Sequence, residues 1–174
     1  MTPQLDLEQV RYFLRLLTGN ENTPVTWQVF YDPKGAEQRK DLAAHFVSTL
    51  DQALPTIIRS QANQCGVYIG INKTDGKGRK IENVVEYRAV FADFDGMAQP
   101  QWGIMPHIVQ ERDSTHGHAI WLVDDIKTVD EFRALQYRIH LCKGTDHQVT
   151  DPCRVLRAAG TIHYKDPTNP QQYK

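Results

Sequence analysis

Asp93 and Asp95 stand one residue apart at the end of the apolar run in RAVFADFDG. Alternate residues of a strand face the same side, so the two carboxylates project together, about 6–7 Å apart along the chain. A pair of this kind suits hard, oxygen-seeking cations such as Mg2+ or Mn2+. Asp93 is flanked by Val90, Phe91, Ala92 and Phe94, and an unpaired carboxylate in apolar surroundings is costly. The plainer reading is that Asp-Gly forms a turn and both carboxylates are solvated.

A second cluster is DSTHGHAIWLV, where His116 and His118 share strand parity with Ile120 and Leu122. A paired histidine can bind a metal as in metallo-β-lactamase-like hydrolases, but Ile120 and Trp121 stand where that motif needs Asp-His. It can serve a rolling-circle nuclease, given a tyrosine nucleophile such as Tyr137 or Tyr164, or one histidine can contact a nucleotide phosphate. A surface strand start is the bland reading. The third cluster, DPCRVLRAAGTIHYK, offers Asp151 as a metal ligand and Arg154, Arg157 and Lys165 as phosphate ligands. The loop NKTDGKGRK, with Lys77, Arg79 and Lys80, and Arg88 beyond it, can follow a nucleic-acid backbone. Read alone, either basic cluster is more simply a solvated face or loop. Together, two carboxylates, a histidine and a third carboxylate beside arginines match what metal-dependent nucleotidyl transfer requires.

These residues need elements to position them. LDLEQVRYFLRLL has apolar residues at three-to-four spacing and predicts an amphipathic helix. VTWQVFYD predicts a strand, and RKDLAAHFVSTLDQAL a second helix ended near Pro55. CGVYIGIN reads as β-rich, KTDGKGRKIEN as a polar loop, and VVEYRAVFADFDG as one long strand ending at the aspartates. PHIVQER and HAIWLVDD predict two more strands. TVDEFRALQYRIHLC predicts a helix with a Thr128/Glu131 capping box. The order of elements predicts an α+β fold with a mainly antiparallel sheet.

The 174 residues suffice for one compact domain, and 40% hydrophobic with 24% charged residues describes an ordinary globular chain. No apolar run approaches a membrane span of ~20 residues, and the N-terminus lacks a secretory pattern. Cys65, Cys142 and Cys153 form no CxxC, which fits a reduced, cytoplasmic chain and no structural zinc. The net charge of −1 gives no global attraction to nucleic acid, so any polyanion site must be local. Residues 1–166 read as one catalytic domain and 167–174 as the start of a linker or tail.

The succession GVYIGIN, GKGRKIENV, RAVFADFDG, HGHAIWLV and DPCRVLRAAGTIHYK, over roughly residues 60–166, resembles the archaeo-eukaryotic primase superfamily. Within it, the chain is similar to the RepB-like primase and primase-polymerase domains of phages, prophages and plasmids. The resemblance implies an α/β module plus an RNA-recognition-motif-like module, with the active site in the cleft between them. It implies Asp93, Asp95 and Asp151 as catalytic metal ligands for Mg2+ or Mn2+, and His118, Arg154 and Arg157 as nucleotide ligands. It further implies a single-stranded DNA template, NTP or dNTP substrates and a helicase domain or protein as partner, in a bacterial or phage-infected cell. Ser114-Thr115-His116 makes His116 an alternative to His118, and Asp146 an alternative to Asp151. LRAAG stands where related domains often have Leu-Pro-Gly, which alters a turn. The rivals are a rolling-circle nuclease using His116 and His118, and a non-catalytic nucleic-acid-binding module.

Overall fold

The computed structural model describes residues 3–143, 145 and 149–174. The chain divides into two compact units, one of residues 1–70 with 155–174 and one of residues 71–154. Every strand pairing among the described residues is antiparallel.

The first unit opens with α1 (Leu7–Thr18), capped by the Asp6 side chain, which accepts from Gln9 N. Val10, Phe13, Leu14 and Leu17 form its buried stripe, as their spacing predicts. A four-stranded sheet follows in the order β2 (Ala44–Ser48), β1 (Val25–Tyr31), β3 (Cys65–Gly70), β9 (Val155–Arg157). The register sets Trp27 opposite Ile69 and Val29 opposite Val67, and all four side chains are fully buried on one face.

The second predicted helix is a correction. Residues 40–42 form a short 3-10 turn, 44–48 form β2, and α2 runs Leu50–Ala62 with Pro55 inside it. Ala44 to Ser48 alternate between half-buried and exposed, the period of an edge strand. Thr49 and Gln52 form a reciprocal capping box that starts α2. The hydrogen bond that Pro55 removes is outweighed by the buried face of Leu50, Ala53 and Ile57. A two-stranded ribbon, β10 (Ile162–His163) with β11 (Gln171–Gln172), closes this unit. Tyr173 is buried with its ring edge-on to His163. Residues 171–173 therefore pack into this unit.

The second unit carries a ribbon of β4 (Lys73–Thr74) and β5 (Val84–Glu86) and a three-stranded sheet. That sheet runs β6 (Ala89–Asp95), β8 (His116–Leu122), β7 (Ile108–Asp113), with β8 central. The expected single strand over 84–95 is broken at Tyr87–Arg88. There the Asn72 side-chain oxygen accepts from Arg88 N (2.8 Å) and Ala89 N (3.1 Å), diverting both donors from a ladder. Helix α3 (Val129–Lys143) starts at the predicted capping box, with Glu131 N donating to Thr128 Oγ1 and Thr128 N to Glu131 Oε2. It lies against β6, where Gln136 Oε1 accepts from Phe91 N at 3.1 Å and Gln136 Nε2 donates to Phe91 O. The side-chain amide thus pairs both backbone groups of Phe91 on the edge of β6 that, among the described residues, has no neighbouring strand.

Candidate active site

Four of the expected site residues meet on one face of the β6–β8–β7 sheet. The register pairs Asp93 with His118 and Asp95 with His116, and on the far side of β8 it pairs Gln110 with His118 and Asp113 with His116. Two rows therefore cross the three strands, Asp93–His118–Gln110 and Asp95–His116–Asp113. The alternation that brings Asp93 and Asp95 to one face also turns Phe94 to the other, where it is fully buried. Gly117 lies opposite Phe94. A Cβ on Gly117 would sit 2.4 Å from Phe94 Cζ and 2.6 Å from the Gln110 carbonyl oxygen. The glycine between the two histidines is thus the space that Phe94 fills.

The rows differ in chemistry. His118 is 6% exposed and Gln110 1% exposed, and Gln110 Nε2 lies 2.7 Å from His118 Nδ1. With the amide donating, Nδ1 accepts and the ring proton sits on Nε2. That nitrogen lies 3.9 Å from Asp93 Oδ1. In the other row, His116 Nε2 is 2.8 Å from Asp95 Oδ1 and His116 Nδ1 is 2.8 Å from Asp113 Oδ1. A neutral imidazole has one N–H only, so donation to both carboxylates requires the doubly protonated ring. Burial opposes ionisation of Asp113, but hydrogen bonds from His116, the Thr115 backbone and hydroxyl, and Arg112 outweigh it. They hold its carboxyl well below the usual carboxylate range.

Asp93 is partly exposed, and the Asp95 carboxylate, at 70% exposure, points to solvent. Gly96, with φ +77°, turns the chain away immediately after it. Two carboxylates presented by one strand face fit a hard divalent cation. Among the described residues, however, no three His, Cys, Asp or Glu groups converge to enclose a metal ion.

Asp151 belongs to the same unit and caps its own turn. Its Oδ1 accepts from Cys153 N at 3.1 Å and from Cys153 Sγ at 2.7 Å. Burial and that bond push the Cys153 thiol up to about 12. Arg79, half-buried, acts electrostatically on the same thiol, so the basic loop approaches this turn. Lys77 and Lys80 are exposed and Arg154 half-buried. Arg88 is nearly buried and paired with Glu86 at 3.3 Å. Asp146 lies outside the described residues.

Arg157 and Lys165 lie in the first unit. Lys165 is exposed, whereas Arg157 is 5% exposed and committed to a buried pair. Its Nη2 donates to Asp32 Oδ1 at 2.9 Å and to the Tyr68 hydroxyl at 2.7 Å, and the guanidinium lies over the Tyr68 ring. Burial raises the Tyr68 hydroxyl to about 12, so it remains a neutral partner. Of the tyrosines named as nucleophiles, Tyr137 is exposed on α3, and burial raises the Tyr164 hydroxyl. Reading by residue type missed Asp113, Gln110 and Thr115. Asp-Ser-Thr-His is visible in the sequence, but only the register shows which groups face the histidines.

No protein-family model and no curated protein matches this sequence. Solved structures do. The primase-polymerase AEP domain of cyanophage S-2L superposes with a TM-score of 0.70 at 21% identity, over 97% of this chain and 90% of that one. The catalytic domain of primase RepB′, solved in complex with initiator DNA, gives 0.66 at 18% identity, over 98% and 85%. A second RepB′ primase structure gives 0.65 at 17%, over 96% of this chain and 54% of that one. Among the described residues, no helix is long and apolar enough to cross a membrane. The mixed helices and antiparallel sheets of this chain have the fold of archaeo-eukaryotic primase domains.

Proposed function

We propose that the chain is a metal-dependent, template-directed nucleotidyltransferase, a DNA primase or primase-polymerase domain serving replication of a phage, prophage or plasmid. The observation that carries this reading is the paired register of Asp93 with His118 and Asp95 with His116 on adjacent strands of a primase-type fold. In the reaction, a 3′-hydroxyl oxygen attacks the α-phosphorus of an NTP or dNTP and pyrophosphate leaves. Asp93 and Asp95, with Asp151 from its turn, would hold Mg2+ or Mn2+, which would supply neutralisation of phosphate charge and acidification of the hydroxyl.

His118, its tautomer set by Gln110, offers an N–H to a phosphate oxygen. Arg154 and Arg79 supply positive charge near the Asp151 turn, and Lys77 and Lys80 meet the single-stranded template. Arg157, consumed by Asp32, serves the fold of the first unit in this reading. His116 has carboxylates at both ring nitrogens, which disfavours the metal-binding histidine pair of a rolling-circle nuclease.

The test is a priming assay on single-stranded DNA, with each nucleotide pool and each metal supplied separately and with or without a helicase partner. Metal-dependent incorporation by the wild type, abolished in Asp93→Ala/Asp95→Ala while the circular dichroism stays native, is the expected outcome. Undiminished incorporation by that variant would sink the assignment. DNA binding without incorporation under any metal would favour the non-catalytic reading.

A further inference from the structure

The corner of the site around His116 is built by an irregularity in β7. Gln110 and Glu111 stand opposite His118 and Gly117, and the register then skips one residue, so Asp113 stands opposite His116. In an unbroken strand Arg112 would occupy that position. Bulges re-aim side chains in this way, often beside active sites. Asp113 Oδ1 accepts from His116 Nδ1 (2.8 Å), Thr115 N (2.9 Å) and Thr115 Oγ1 (2.8 Å), and Oδ2 accepts from Arg112 Nε (3.0 Å). A carboxylate held through both oxygens fixes the imidazole ring, whose other nitrogen lies 2.8 Å from Asp95 Oδ1. The parallel row has a neutral amide, Gln110, behind His118. In the Asp95 row the group behind the imidazole is a second negative charge, Asp113.

We propose that Asp113 and His116 are positioning residues for Asp95. Through the imidazole they fix the rotamer of the Asp95 carboxylate and so set its affinity for a divalent cation. The inference rests on the reading of Asp95 as a cation ligand. It gives the two histidines different roles, His118 serving the nucleotide phosphate and His116 the carboxylate. Groups behind a metal ligand typically alter metal affinity roughly 10–100-fold.

The test is Mn2+ binding to the full chain, read from the electron paramagnetic resonance signal of unbound Mn2+, without substrate. Asp113→Ala and His116→Ala are each expected to raise the dissociation constant about tenfold or more. The double variant is expected to match His116→Ala alone, because Asp113 acts through that ring. Asp113→Asn, which keeps the size and an acceptor oxygen, is expected to fall between wild type and Asp113→Ala, and carries the test if the alanine variant does not fold. Wild-type affinity in Asp113→Ala or Asp113→Asn overturns the inference, as does a double variant whose loss is the product of the single losses. Wild type without Mn2+ binding, or undiminished binding in Asp93→Ala/Asp95→Ala, instead removes the cation-site reading and this inference with it.

Discussion

Replacing Gln136 by methionine isolates the role of one side-chain amide at the open edge of β6. Gln136 is fully buried and pairs both the N–H and the C=O of Phe91. Methionine keeps the length and adds apolar surface, so burial alone would raise stability. The lost amide leaves two buried backbone groups without partners, at about 1–3 kcal/mol each, or about 2–6 kcal/mol together. For a chain of this size, about 2 kcal/mol lowers Tm by roughly 4–8 °C, and the expected fall is at least that. Thermal denaturation followed by circular dichroism measures it, and hydrogen exchange at the Phe91 amide localises it. An unchanged or raised Tm with undiminished Phe91 protection would refute the reasoning.

Three further outcomes follow from the same geometry. Gly117→Ala must displace the Phe94 ring and the Gln110 backbone, and should cost about 1–3 kcal/mol or more in urea denaturation; a wild-type midpoint would contradict the close packing. Asp32→Ala leaves the Arg157 guanidinium buried without its carboxylate and should cost about 3–5 kcal/mol. Asp32→Ala/Arg157→Met should recover much of that loss, and no recovery would show that the charge is not the cause. The depressed Asp113 pKa contributes stability above the unfolded value of about 3.9 that is lost as pH falls below it. The Tm difference between wild type and Asp113→Asn should therefore shrink from pH 7 to pH 3, and a constant difference would exclude the linkage.

What could be read from residues alone was what local periodicity controls. The stripe of α1, the Thr128/Glu131 cap and the shared face of Asp93 and Asp95 depend only on neighbours within a few positions. Pro55 misled because one lost hydrogen bond is small beside a face of Leu50, Ala53 and Ile57 buried by tertiary packing. The break at Tyr87–Arg88 depends on Asn72, sixteen residues from Arg88. Arg157 resembled a phosphate ligand because its partner, Asp32, lies 125 residues away. The bulge that brings Asp113 to the site is a property of strand pairing, which residue types do not encode. Asp93, Asp95, His116 and His118 were legible as candidates; which histidine faces which carboxylate was not.

The division of the chain also has a temporal consequence. The second unit is one continuous segment, residues 71–154, while the first needs both 1–70 and 155–174. The ends of that segment meet, with Ile71 N donating to Arg154 O at 3.4 Å. During vectorial synthesis the strands carrying Asp93, Asp95, His116 and His118 are all translated before β9 exists to pair with β3. A ribosome stalled just past Arg154 would already have translated the whole second unit while the first still lacked its last strands.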